Sequence, residues 1–171
     1  MADLFSKLTE SRNLLEKLAS KIPGFSGYME REGRREADRL LRDTIANRYD
    51  EQLRRLSNIQ MQLLTGGGIE YVDDVQVAAT RLQTFIDQVR TAAYGYGGLF
   101  GAIKINEAEL IKLYNFDYAL LENVDKLAAA VDNVETSVGS DGLPAAIRNL
   151  QALTEECNLT FERRKEVLTS E

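Results

Sequence analysis

Apolar residues recur at spacings of three and four along most of the chain, and this pattern constrains the fold more than any other feature. Such spacing places side chains on one face of a helix. The most regular example is the run Val72, Val75, Ala79, Leu82, Ile86, Val89 and Ala93. Only two prolines occur in 171 residues, and no segment alternates as a half-buried strand would. The sequence therefore predicts an all-α fold.

Glycine and proline residues divide this pattern into about five predicted helices. They cover residues 3–22, 28–64, 72–93, 106–138 and 144–168. Only a short glycine-rich break separates the second helix from the third, and such a connection makes consecutive helices antiparallel neighbours. At about 1.5 Å per residue, the second helix alone would exceed roughly 50 Å. We therefore expect an elongated antiparallel helical bundle with a long coiled-coil-like hairpin.

A single all-helical domain over residues 1–171 accounts for this organisation. Within it, residues 1–25 form an amphipathic N-terminal helix and a Pro-Gly hinge, and residues 28–92 form the long hairpin. Residues 106–170 form a C-terminal helix pair.

The chain contains no histidine and one cysteine, and these two counts restrict its chemistry. Catalytic Ser-His-Asp triads, Cys-His pairs, His-containing zinc sites and Glu-x-x-His di-iron bundles all require histidine. We therefore expect a non-enzymatic protein with no cofactor and no metal. Cys157 lies on the apolar face of the last helix and is expected in the core. A lone cysteine also suggests a reducing, cytoplasmic location.

Charge is distributed unevenly along the chain, whose net charge is −6. Residues 1–60 carry 12 basic and 10 acidic groups, whereas residues 61–171 carry 9 and 17, giving +2 and −8. The arginines of the second helix alternate with acidic residues, which is typical of a solvated helix face, so no nucleic-acid partner is expected. The charge difference between the two parts suits either head-to-tail self-association or an orientation with the first part toward an anionic surface. Asp117, beside an apolar stripe, is expected to pair with Arg81, Arg90 or Lys112.

The segment over residues 94–101, Tyr-Gly-Tyr-Gly-Gly-Leu-Phe-Gly, has the most unusual local composition. Its glycines favour an inter-helix connection, although the apolar register continues through Tyr96 and Phe100 and also allows an unbroken helix. A phosphate-binding loop is disfavoured because no strand precedes the segment and no GK[ST] ending follows it. Aromatic residues beside glycine suit protein recognition. The predicted partner-binding residues are Tyr94, Tyr96, Leu99 and Phe100, together with Tyr49 and Leu53 of the second helix.

These features favour a cytoplasmic interaction or scaffold protein that self-associates or binds another protein through its helical faces. The alternative is a peripheral membrane protein on the inner face of a membrane. Its anionic surface would be contacted by the first helix through Leu4, Phe5, Leu8 and Leu15. In layout alone, over residues 3–22 and 28–93, the chain resembles the phage-shock and ESCRT-III-like proteins. That resemblance implies an amphipathic membrane-contacting helix followed by a long charged hairpin.

Overall fold

The computed structural model describes residues 13–14, 16–22, 31–102 and 107–169, and it contains five helices and no strand within those ranges. Helix α1 contains the helical residues between 13 and 21. The longer helices are α2 (Arg31–Gly66), α3 (Val72–Ala102), α4 (Glu107–Ser137) and α5 (Leu143–Thr169). The predicted all-α bundle is confirmed. None of the described helices is both long and apolar enough to cross a membrane.

Helices α2 and α3 form a hairpin around the three glycines. Gly67 adopts a φ of 90°, which L-side chains rarely tolerate, and a short 3₁₀ turn over Ile69–Tyr71 leads into α3. Gly68 lies so close to Leu63 that an added Cβ would come within 2.6 Å of Leu63 Cδ2. Across the hairpin, Gln60 donates a 2.8 Å hydrogen bond to Gln76, and near its other end Arg90 contacts Asn47. Between these two contacts the residue number falls along α2 and rises along α3, so the two helices are antiparallel.

Helices α4 and α5 form a second antiparallel hairpin, which packs beside the first. Arg81 of α3 donates a hydrogen bond to the carbonyl of Gln151 in α5, and Phe85 packs against Phe161 further along both helices. Helices α3 and α5 are therefore parallel neighbours. Helices α2 and α4 are also parallel neighbours. Because α3 packs beside α5 and α2, it lies diagonally opposite α4, the next helix in the chain. Because α2 runs parallel to α4, and α3 parallel to α5, the turns of both hairpins lie at one end of the bundle.

The core between the four long helices is built from the apolar stripes that the sequence indicates. Each helix contributes fully buried side chains, among them Leu41, Ile45, Leu56, Leu82, Ile86, Leu127, Val131, Val134 and Leu150. Helix α1 adds Leu14, Leu18 and Ile22 to the same cluster. Lys21 lies near Asp125 of α4, and its carbonyl accepts a hydrogen bond from Arg48 of α2. The described part of α1 is thus packed against α2 and α4.

The segment over residues 94–101 differs from the favoured expectation of a connection. Helix α3 continues through it to Ala102, as the alternative of an unbroken helix requires. Each glycine in a helix interior costs about 1 kcal/mol relative to alanine. In the sequence, however, the apolar three-four spacing that buries Ile86 and Val89 continues into this segment. A continuous apolar stripe favours helix and acts against that local propensity.

Candidate interaction surface

The end of the bundle that carries both turns combines two separate parts of the sequence. We call it the hairpin end and define it as residues 56–80 and 127–147. Two contacts at its border hold the parts together: Arg55 pairs with Asp132, and the Gln151 side chain donates a 2.9 Å hydrogen bond to the Asp74 carbonyl. The hairpin end is therefore one surface of the folded chain.

Exposed apolar side chains concentrate at this end. Four of the six large apolar side chains that are strongly exposed among the described residues lie there: Met61 (62%), Leu64 (49%), Ile69 (66%) and Val77 (42%). Met61 and Leu64 are three residues apart on α2, so their side chains are neighbours on the helix surface. Single exposed apolar residues are ordinary in folded proteins, whereas a concentration of them is typical of an interaction site.

The same end is acidic. Neither stretch contains a lysine or an arginine, and together they hold six exposed carboxylates: Glu70, Asp73, Asp74, Asp132, Glu135 and Asp141. Arg55 reaches from the border to Asp132 and Glu135. Among the described residues, no ion pair neutralises the other four carboxylates. The hairpin end therefore combines exposed apolar side chains with an excess of negative charge.

This surface was not among the residues predicted from the sequence. The apolar spacing places Leu63 on the buried stripe, and the structure buries Leu63 and exposes Leu64, but the spacing does not show that the exposed residues form one surface. A signal was present, however, in the 25 consecutive positions over residues 56–80 that lack a basic residue. Exposed leucine and isoleucine positions within such a stretch are candidates for a binding surface.

The predicted partner-binding residues lie in two different settings. The backbone of Tyr94, Tyr96, Leu99 and Phe100 is part of α3, and their side chains lie outside the described residues. Tyr49 is completely buried, and Leu53 is partly buried against the core. The expectation that Tyr49 contacts a partner is therefore corrected. Its face of α2 is directed at α3 and the interior, because the apolar stripe that contains it builds the core.

The predicted membrane-contact residues Leu4, Phe5, Leu8 and Leu15 all lie outside the described residues. The large apolar side chains described in the same segment are buried in the bundle: Leu14 is 7% exposed, and Leu18 and Ile22 are at most 1% exposed. Lys17 and Lys21 also lie near the ring of Tyr118 on α4. These residues of α1 are therefore not available to a lipid surface while the helix is packed.

A small polar cluster lies in the core between α2, α4 and α5. The Tyr49 hydroxyl donates a 2.7 Å hydrogen bond to the Leu120 carbonyl, and the Cys157 thiol lies 3.7 Å from the same hydroxyl. Burial raises the pKa of Tyr49 well above its usual value and that of Cys157 to about 11. A thiol with so high a pKa is protonated at neutral pH and is a poor nucleophile. Cys157 is 1% exposed and occupies the predicted core position.

We predict that folding protects this thiol and that its ionisation makes stability depend on pH. Between pH 9 and 11 the unfolded chain loses the thiol proton first, so the free energy of unfolding should fall with pH, by up to about 2–3 kcal/mol. Urea unfolding across this range measures the decline. Cys157→Ala should show a smaller decline than the wild type, and equal declines would contradict the prediction. At pH 8, a thiol reagent should label Cys157 only after denaturant is added.

A second polar pair connects α4 and α5 deep in the core. Arg164 donates hydrogen bonds to Asp117 from Nε, at 2.7 Å, and from Nη2, at 3.3 Å, and both side chains are almost completely buried. The sequence correctly indicated that Asp117 lies beside an apolar stripe. It did not identify Arg164 as the partner of Asp117. Arg81, one of the expected partners, instead lies near Glu155. The ionic contact between Asp117 and Arg164 therefore links α4 to α5 inside the core.

The described residues contain no cluster of three or more acidic, cysteine or histidine side chains that could hold a metal ion. The fold and the hairpin end together define an all-α bundle with an acidic, partly apolar surface at one end. Comparisons with protein-family models, curated proteins and solved structures find no match for this chain. The resemblance to phage-shock and ESCRT-III-like proteins therefore rests on sequence layout alone.

Proposed function

We propose that this chain is a non-enzymatic interaction or scaffold protein that associates with itself or with another protein through its helical surfaces. The observation that carries the proposal is the concentration of exposed apolar side chains at the hairpin end. Met61 and Ile69 each expose more than 60% of their surface on a well-packed helical scaffold. Leaving such groups in water forgoes about 25 cal/mol per Å² of apolar surface that a contact would bury.

Two further features support an interaction role. Two buried polar contacts of the core, Tyr49–Leu120 and Asp117–Arg164, join helices of the bundle and so serve its packing. The aromatic segment over residues 94–101 supplies a second candidate contact from the sequence. The membrane alternative depends on side chains outside the described ranges and gains no support from the packed part of α1.

Site-specific photocrosslinking tests this proposal. A photoreactive amino acid placed at position 61 or 69, in the full chain expressed in its own cells, should give discrete crosslinked adducts that mass spectrometry can identify. Leu159 on α5, which is 54% exposed, is the matched control position and should give weaker or no adducts. The proposal fails if positions 61 and 69 give no adduct, or only the adducts seen at position 159.

Sedimentation velocity separates the two forms of the proposal. Self-association predicts a sedimentation coefficient that rises with protein concentration and adducts formed between two copies of this chain. Binding to a different protein predicts a monomer in isolation and adducts that contain a second polypeptide. A Tyr96→Ala/Phe100→Ala variant measured in parallel shows whether the aromatic segment contributes to either association.

A further inference from the structure

From the charge and exposure of the hairpin end, we infer that it is a docking surface for a cationic segment of another protein that also carries apolar side chains. This inference rests on the proposed function and specifies the chemistry of the partner. Apolar contacts would come from Met61, Leu64 and Ile69, and ionic contacts from the carboxylates beside them. A basic amphipathic helix has both properties on one segment.

Charge complementarity is the first reason for this choice of partner. The six carboxylates of the hairpin end come from four helices or turns that the fold brings together, and Arg55 reaches only two of them. Among the described residues, Glu70, Asp73, Asp74 and Asp141 have no cationic partner in the folded chain. A lysine- or arginine-rich segment would supply the missing charge, whereas an acidic segment would be repelled.

The distribution of apolar exposure is the second reason. Leu40 and Leu159, the remaining strongly exposed large apolar side chains of the described structure, lie on single helices outside the hairpin end. At the hairpin end, by contrast, the exposed groups occupy α2, the 3₁₀ turn and α3 within residues 61–77. A partner with lysine side chains alone would leave these groups in water. The surface therefore favours a segment that is both basic and apolar.

A second copy of this chain is the less favoured occupant. Two described cations outside the hairpin end are paired with acidic residues, Arg39 with Asp43 and Lys21 with Asp125. These pairs reduce the positive charge that a second copy could offer to the hairpin end. We therefore choose a separate cationic partner, and association between copies is an outcome that the experiment detects.

Fluorescence anisotropy with synthetic peptides tests the inference on the full chain. The probe is a labelled peptide of leucine and lysine patterned as an amphipathic helix. Two control peptides replace every lysine with glutamate or every leucine with serine. We expect saturable binding of the leucine–lysine peptide that weakens as salt is added, and at least about tenfold weaker binding of both controls.

Matched variants locate the binding surface. Met61→Ser/Leu64→Ser/Ile69→Ser and Glu70→Gln/Asp73→Asn/Asp74→Asn should each weaken binding about tenfold or more. The controls are Leu40→Ser/Leu159→Ser and Glu51→Gln/Asp87→Asn/Glu156→Gln, which alter exposed positions elsewhere and should change binding less than about twofold. Circular dichroism and thermal unfolding verify that every variant is folded before binding is measured.

Three results would overturn the inference: no binding of the leucine–lysine peptide, equal losses in the hairpin-end and control variants, or equal binding of the glutamate peptide. A wild-type chain that dimerises through Met61, Leu64 and Ile69 and does not bind the peptide would assign the surface to a second copy. In these cases, position-specific crosslinks at 61 and 69 would still support the proposed function. The two conclusions can therefore fail separately.

Discussion

Replacing Asp117 with asparagine is expected to lower the free energy of unfolding by about 3–5 kcal/mol, because the buried guanidinium of Arg164 loses its ionic hydrogen bonds to Asp117. Asparagine is close to aspartate in size, so the loss would arise from charge rather than from a cavity. Urea unfolding followed by circular dichroism measures the effect. A loss below about 1 kcal/mol would show that the pair is solvated or replaceable.

Two controls accompany this variant. Asp50→Asn breaks the exposed Arg54–Asp50 pair on α2 and should cost less than about 1 kcal/mol. Asp117→Leu/Arg164→Met removes both charges together and should recover part of the loss, since an apolar pair of similar volume needs no compensation. If the double variant is as unstable as Asp117→Asn, the charge that remains on Arg164 is not the cause of the lost stability.

Replacing Phe85 with alanine should have a comparable effect through packing. Phe85 is fully buried, with its ring centroid 4.6 Å from that of Tyr49 and 6.0 Å from that of Phe161. Removing the ring leaves a cavity between α2, α3 and α5 and should lower the free energy of unfolding by about 3–5 kcal/mol. Denaturant unfolding measures this change as well.

Val77→Ala on the same helix provides the control, since its exposed side chain should contribute less than about 0.5 kcal/mol. A double-mutant cycle with Phe161→Ala then measures the contact itself, with an expected coupling of about 0.5–1.5 kcal/mol. Additive effects of the two alanine substitutions would contradict a direct ring contact. A loss at Phe85 no larger than at Val77 would place Phe85 outside the core.

The helices and the first turn could be predicted from local sequence. A three-four apolar spacing identifies the buried face wherever the stripe is narrow, as at Leu82, Ile86 and Val89, and all three are buried. The glycine-rich break marks the turn because consecutive glycines favour no regular element. These predictions succeeded because the residues that determine a buried helix face or a turn lie within a few positions of one another in the sequence.

The partners of individual side chains could not be predicted in the same way. Asp117 and Arg164 are 47 positions apart, and nothing local selects Arg164 over the other cations. Tyr49 was predicted to contact a partner as part of the long second helix, but its hydroxyl donates a hydrogen bond to the carbonyl of Leu120 on another helix. The acidic hairpin end likewise depends on which helices become neighbours.

The two destabilising variants, Asp117→Asn and Phe85→Ala, disturb contacts between different pairs of helices. Asp117 and Arg164 connect α4 to α5 within one hairpin, whereas Phe85 and Phe161 connect α3 to α5 across the two hairpins. Contacts within a hairpin join segments close in sequence, and such contacts can form early in folding. Docking of one hairpin on the other requires a longer loop to close. Asp117→Asn is therefore expected to weaken one hairpin internally, whereas Phe85→Ala should weaken both its own hairpin, through the contact with Tyr49, and the docking of the two hairpins.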